Sequence, residues 1–254
     1  RIFGKSLASM EALLPPLAAE NFQDKFNLIN PADGICRGRV GLVLGCVQRC
    51  FDPDVNHATL KVLQSNGFEV VIPEQQGCCG AVTHHQGLIQ ETKRFGRDLA
   101  RSFNSIIGPG KPGGTKALDA VVVAAAGCGH TMKGYEEILN GEDNFKAPVW
   151  DINEFLAAHG LSKTFLEALQ PLSHKDGRIS DQSDPFPVVY HDACHMIHGQ
   201  GIASQPRSLL KSIPFLHLKE AKEAGVCCGS AGIYNLVQPE EADELGRMKL
   251  TDLK

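Results

Sequence analysis

The sequence predicts an α/β protein of two repeated cysteine-rich units, each with a small, mostly parallel sheet flanked by helices. Three observations carry that expectation. Strand-like and helix-like apolar patterns alternate along the chain, a Cys-Cys-Gly string occurs twice at a matched offset, and each cysteine group follows the carboxyl end of a predicted strand.

The repeat comes first because it changes how everything else is read. Val40 to Cys46 is followed, after 31 intervening residues, by Cys78-Cys79-Gly80, and Val188 to Cys194 is followed, after 32, by Cys227-Cys228-Gly229. The offsets are 194 − 46 = 148 and 227 − 78 = 149. From composition alone Cys-Cys-Gly should occur only about 0.03 times, so two copies in register mark a duplicated unit.

Within the first unit, Arg39 to Gly45 reads as a buried strand, and Val55, Ala58, Val62 and Leu63 then recur at helical spacing. Phe68 to Ile72 is a second strand, stopped by Pro73. Leu88, Phe95, Leu99 and Phe103 mark one face of a helix, with Lys93, Arg94, Arg97 and Arg101 largely off it. Ala117 to Ala126 reads as a buried strand closed by Gly127-Cys128-Gly129. Helices starting after Gly80 and Gly129 would aim their N-terminal N–H groups at whatever the cysteines hold.

These boundaries divide the chain into a connector over 1–38, a first unit over 39–160, a connector over 161–187 and a second unit over 188–254. The 161–187 stretch joins a helical run, Leu161 to Leu169, to a Ser-, Asp- and Pro-rich link. Cys128 follows Cys79 by 49 residues, so its counterpart is expected near position 277. With Arg1 where an initiator methionine would stand, the sequence reads as a fragment of a longer protein.

Composition narrows the function. At 43% apolar and 21% charged, the 254 residues can bury a core, which excludes intrinsic disorder. A net charge of −4 gives no electrostatic case for nucleic acid. The longest apolar stretches reach only half of the ~20 residues that a transmembrane helix needs, and no signal-peptide pattern opens the chain. The expectation is a cytoplasmic protein, peripheral at most on the inner face of the cytoplasmic membrane.

The chemistry lies in the cysteines. They number nine, at 36, 46, 50, 78, 79, 128, 194, 227 and 228, an odd count with two adjacent pairs that suits metal ligation better than disulfides. Cys46, Cys78, Cys79 and Cys128, arriving from three loops, suit either a tetrahedral zinc or an iron–sulfur cluster. Adjacent cysteines chelate one small ion only with strain, which favours the cluster. His84, His85, His130, His191, His195 and His198 crowd the same turns, where loop histidines more often hydrogen-bond their neighbours than ligate. Asp192 reads as a turn residue or helix cap. Cys50, one helical turn past Cys46, reads as a buried thiol. The basic face at Lys93 to Arg101 is a solvated helix surface. Gly108 to Gly113 spells the dinucleotide fingerprint, but it precedes a strand, and Pro109 and Pro112 remove the donors that phosphate binding needs. Cys128-Gly129-His130 sets a thiol near an imidazole, yet its place in a repeated cysteine pattern favours ligation over nucleophilic catalysis.

Five strings then make a resemblance specific: Gly45-Cys46-Val47-Gln48, Gly77 to Ala81, Gly127-Cys128-Gly129, His198 to Ile202 with Gln205-Pro206-Arg207, and Cys227 to Leu236. Together they resemble the cysteine-rich (CCG) domain family, shared by the iron–sulfur subunit of bacterial glycolate oxidase and by cysteine-rich subunits of heterodisulfide reductase and anaerobic glycerol-3-phosphate dehydrogenase. The likeness runs from about Val40 to Leu250. The resemblance implies an iron–sulfur electron-transfer subunit of a flavin-dependent glycolate (2-hydroxyacid) oxidase. It would take electrons from flavin-bearing partner subunits as glycolate becomes glyoxylate and pass them to a quinone or another acceptor. It implies that Cys46, Cys78, Cys79 and Cys128 hold one cluster and that Cys194, Cys227 and Cys228 hold part of another. Heterodisulfide reductase closes each unit with Cys-x-x-Cys, whereas the first unit here closes with a single cysteine, so a conventional 4Fe-4S cluster is expected. Family members also carry an N-terminal ferredoxin-like region that this sequence lacks, so the chain is expected to be inactive alone. A reductase acting directly on a disulfide and a zinc-stabilised interaction module remain the alternative readings.

Overall fold

A computed structural model describes residues 25–230 and 234–254. The first 24 residues of the expected connector, and Ala231 to Ile233 within the last family string, lie outside the described residues.

The first unit is built on one five-stranded sheet. Its strands are β1 (Ile29–Asn30), β2 (Gly38–Val43), β3 (Phe68–Val71), β4 (Ala120–Val123) and β5 (Val149–Asp151), in spatial order β1-β3-β2-β4-β5. β1 runs antiparallel and every other pair is parallel. In the register Val40 faces Val70 on one side and Ala120 on the other. The central strands are continuous apolar runs because both of their faces are covered.

Alternation along the strands sends side chains into two cores. On one face Val40, Leu42, Val70, Ala120 and Val122 pack with Leu63, Phe68, Phe155 and Leu156. These last residues include contributions from α2 (Pro53–Ser65) and α7 (Ile152–His159). On the other face Val43, Val121 and Val123 meet Leu99, Phe103, Met132, Tyr135 and Leu139. Gly41 lies on that second face, where a Cβ would stand 2.7 Å from the Phe103 ring, so the ring packs against bare backbone.

Four local readings are corrected. The inward face of α2 is Asn56, Thr59 and Leu63, while Ala58 is exposed. The long helix α4 (Ile89–Asn104) buries Thr92, Gly96, Leu99, Ala100 and Phe103, leaving Leu88 exposed ahead of its first turn. The Ala117 to Ala126 run is strand only over β4, because at Ala126 the backbone turns into α5 (Ala126–Lys133). Gly127-Cys128-Gly129 is therefore the first turn of a helix, and no helix starts after Gly129. Cys50 is half-buried within α1 (Cys46–Phe51). The expectation for Gly108 to Gly113 holds. That segment folds back on itself ahead of β4, with the Gly108 N–H donating to Gly114 O, and buried Arg39 donates to Gly113 O at 2.5 Å while pairing with Glu69 at 2.6 Å.

After α5 come α6 (Tyr135–Ile138), β5 and α7, then α8 (Lys163–Ala168), whose first turn is capped by the Ser162 hydroxyl accepting from the Phe165 N–H. The link that follows holds one isolated bridge, Ser173 with Ile179. β6 (Phe186–Tyr190) then pairs in parallel with β7 (Leu216–Glu220) across α9 (Cys194–Ile197) and α10 (Ser204–Leu210). The order strand, two helices, parallel strand repeats that of β2, α1, α2 and β3. After β7, α11 (Tyr234–Val237) and α12 (Pro239–Asp252) repeat α3 (Ala81–His85) and α4. No helix among the described residues is long and apolar enough to cross a membrane.

Gly41→Ala should cost about 1–3 kcal/mol through overpacking against Phe103, and adding Phe103→Leu should recover part of that loss. Urea unfolding of the single and double variants measures the coupling; strictly additive losses would refute the contact.

Candidate metal centre

Of the parallel strands, β2, β3 and β4 end within two residues of one another, so the segments that follow them rise from one edge of the sheet. Each segment carries cysteine. Cys46 opens α1 directly after β2, behind Gly45 at φ 71°. Cys78 and Cys79 occupy the loop after β3, whose exit is Gly80 in the left-handed region at φ 78°. Cys128 lies in the first turn of α5.

Buried polar contacts fix these segments. Gln76 accepts from the Leu44 N–H at 3.1 Å and donates to Leu42 O at 2.9 Å, tying the loop to the end of β2. Fully buried Asn56 donates to Leu44 O at 3.0 Å. Tyr135, also fully buried, donates its hydroxyl to Cys79 O at 2.7 Å and fits over Gly96, where a Cβ would meet its ring at 3.1 Å. Neither Gln76 nor Tyr135 stands out in the sequence, because an isolated glutamine or a core tyrosine has no pattern to mark it.

The four sulfurs gather. Cys46 Sγ lies 3.4 Å from Cys78 Sγ, and Cys79 Sγ lies 3.0 Å from Cys128 Sγ. Hydrogen bonds from the Cys46 and Cys79 thiols, with the Gly80 N–H 3.3 Å away, hold Cys78 well below the ordinary thiol range. The hydrogen bond from Cys79 likewise holds Cys128 down. Hydrogen bonding to these partners, then burial, pushes the donors Cys46 and Cys79 up. The arrangement is two sulfur pairs side by side, with soft sulfur as the common donor type. It is not a shell around a point: among the described residues no three or more His, Cys, Asp or Glu side chains are placed to hold a single metal ion.

The second group repeats the local turn without the gathering. Cys194 opens α9 as Cys46 opens α1. The Gly229 N–H approaches Cys227 Sγ at 3.3 Å, as the Gly80 N–H approaches Cys78. Cys194, Cys227 and Cys228 are half-buried, and among the described residues no sulfur-to-sulfur hydrogen bond joins them. Cys36, by contrast, is exposed and remote, its thiol 3.4 Å from Gly38 O.

Between the two groups the histidines meet. His130 Nδ1 and His195 Nδ1 are 3.0 Å apart, and His85 lies 4.7 Å ring to ring from His195. Burial, then the neighbouring imidazoles, lowers the pKa of both His85 and His195. Gly199 lets this seam close, since a Cβ there would stand 2.7 Å from His130 Nδ1. Gln200 stitches it by donating to Ala126 O at 3.0 Å. His130 Nδ1 is thus engaged by His195. His198 contacts Gly225 O, and His191 Nδ1 is buried with no hydrogen-bond partner among the described residues. Asp192 is neither cap nor simple turn residue. It is buried and holds Arg207 through both oxygens, at 2.8 and 2.6 Å, while Arg207 also grips Glu220 and lies over the Tyr190 ring. Arg207 comes from the Gln205-Pro206-Arg207 string, whose spacing gives no hint of this partner.

The model of the cysteine-rich CCG domain matches twice, over residues 40–133 and 188–254. The chain belongs to the cysteine-rich CCG domain family. Among curated relatives, the probable glycolate oxidase iron–sulfur subunit of Bacillus subtilis is 32% identical over the whole chain, which spans 52% of that relative. A fumarate reductase (CoM/CoB) subunit from Methanothermobacter marburgensis is 33% identical over 83% of the chain and 37% of the relative. Lactate utilization protein A of Oceanobacillus iheyensis is 25% identical over 83% of the chain and 78% of the relative. The chain thus spans about half, or less, of the first two. The doubled CCG match coincides with the two cysteine-bearing turns found in the fold.

Tyr135→Phe leaves Cys79 O without its buried donor and should cost about 1–3 kcal/mol. Thermal unfolding of the cluster-free CCG chain measures this, and an unchanged midpoint would show that the bond contributes nothing.

Proposed function

We propose that the chain is the electron-transfer part of the iron–sulfur subunit of a flavin-dependent 2-hydroxyacid oxidoreductase. Cys46, Cys78, Cys79 and Cys128 hold one 4Fe-4S cluster, and Cys194, Cys227 and Cys228 supply part of a second site. The observation that carries this reading is the meeting of four sulfurs from three strand ends. The donor set fits: every group in the gathering is a soft thiol, and adjacent Cys78 and Cys79 suit a body wider than a single ion.

When bound, such a cluster accepts and releases single electrons. The chain's own contribution is to set where and how easily this happens. The Gly80 and Gly229 N–H groups approach Cys78 and Cys227 at 3.3 Å, and donors to ligand sulfur stabilise the more negative state. Burial of Cys79 and the Tyr135 bond to its carbonyl hold one ligand rigid and shield it from water.

Substrate and partners follow by likeness. The Bacillus subtilis relative is named for glycolate and the Oceanobacillus iheyensis relative for lactate, both 2-hydroxyacids. Glycolate is the substrate proposed, oxidised to glyoxylate on flavin-bearing partner subunits, with electrons passing through this chain toward a quinone or another acceptor. The division into two units belongs to the same proposal, with the boundaries expected after residues 38 and 187 drawn back, because β1 (Ile29–Asn30) pairs into the first sheet and β6 starts at Phe186. So does a cytoplasmic location, peripheral on the inner membrane face. The likeness to the fumarate reductase (CoM/CoB) subunit favours, as a second reading, a reductase of heterodisulfide type.

Anaerobic purification should yield about four irons and four sulfides for each filled site, and Cys79→Ser should abolish the first site's visible absorbance while Cys36→Ser leaves it intact. Stoichiometric zinc without sulfide would overturn the redox reading. Glycolate-dependent reduction of an artificial acceptor should require the flavin-bearing subunits; heterodisulfide reduction by the full-length subunit alone would favour the second reading.

A further inference from the structure

α12 lies along the loop that carries Cys227 and Cys228, and one stripe of the helix meets it. Ala242 O would stand 2.3 Å from a Cβ at Gly229, and Gly246 faces Cys228 O. Lys249 Nζ donates to Glu223 O at 2.6 Å and Ala224 O at 3.0 Å. One turn further, Asp252 accepts from the Lys222 and Glu223 N–H groups at 2.8 and 2.9 Å. Positions 242, 246 and 249 share one helix face.

The first unit shows what is particular here. There the same close approach recurs, Gly80 against Thr92 O, but the residues one repeat before Lys249 are Leu99 and Ala100, both fully buried and apolar. The second unit puts a lysine, only 4% exposed as a residue, where the first puts core. Its hydrogen-bond partners are carbonyls. Its charged neighbours are the Asp192 carboxylate, which Lys249 helps to hold down and which Arg207 binds through both oxygens, and the Asp252 carboxylate on the N–H groups of the same loop. What is particular to Lys249 is therefore its pair of bonds to the loop, three residues ahead of Cys227.

We propose that Lys249 is a positioning residue for the second cysteine centre, clamping the Glu223–Gly229 loop that carries Cys227 and Cys228. The inference rests on the iron–sulfur reading only in calling that loop part of a second centre; the clamp stands without it.

Hydrogen exchange on the cluster-free chain tests the clamp. Lys249→Met should speed exchange of the 223–229 amides about tenfold without lowering the midpoint of global unfolding, and Lys249→Arg should restore protection. Exchange at the wild-type rate in Lys249→Met, or failure of Lys249→Arg to restore protection, overturns the proposal. Were the wild-type chain to bind no iron and sulfide, the iron–sulfur reading would fail while the exchange result still judged the clamp.

Discussion

Everything at the cysteine edge depends on β2 being hydrogen-bonded in parallel to β3 on one side and β4 on the other. Parallel pairing makes consecutive strands finish at the same edge of the sheet, and the register sets Val43 opposite Val123 and Gly41 opposite Val71. Side chains tens of residues apart in sequence are thereby delivered to one place. The pairing survives because both faces of the sheet are buried, with Val40 and Leu42 fully covered on one side and Val121 and Val123 on the other. Antiparallel pairing would send alternate segments to opposite ends and disperse the thiols.

Rigid delivery alone leaves loops free, and the second level of organisation removes that freedom. In the first unit the restraint is neutral and internal: Gln76 bonds the end of β2, and Tyr135 bonds Cys79 O. In the second unit the restraint is ionic and supplied from elsewhere, with Arg207 joining Asp192 to Glu220 and Lys249 holding the loop before Cys227. The two copies share a backbone plan and a glycine N–H aimed at sulfur, yet they differ in local charge. For any redox group held there, that difference is a means of setting two unequal potentials.

The seam between the copies is the third element. Imidazoles from α5 and α9 meet at 3.0 Å, each within two residues of a cysteine, so the two cysteine groups are fixed relative to one another through His130 and His195. Gly199 and Gln200, part of a string that carries the family likeness, serve this seam rather than a ligand. A glycine-bearing string beside a cysteine thus has a packing reason here.

Sequence by itself determined the repeat and the parallel α/β class, because spacing and apolar alternation are properties of the chain and survive without a partner in view. The gathering of Cys46, Cys78, Cys79 and Cys128 was legible for the same reason: strands read in order must share an edge if they pair in parallel. Only the tertiary structure decided that Cys128 lies within a helix, that Asp192 belongs to Arg207, and that Lys249 is buried against two carbonyls. Those outcomes turn on which side chain fills the space opposite. A lysine pattern on an outer helix looks the same in sequence whether its ammonium meets water or a loop, and the cost of burial is settled only when the neighbouring backbone is in place.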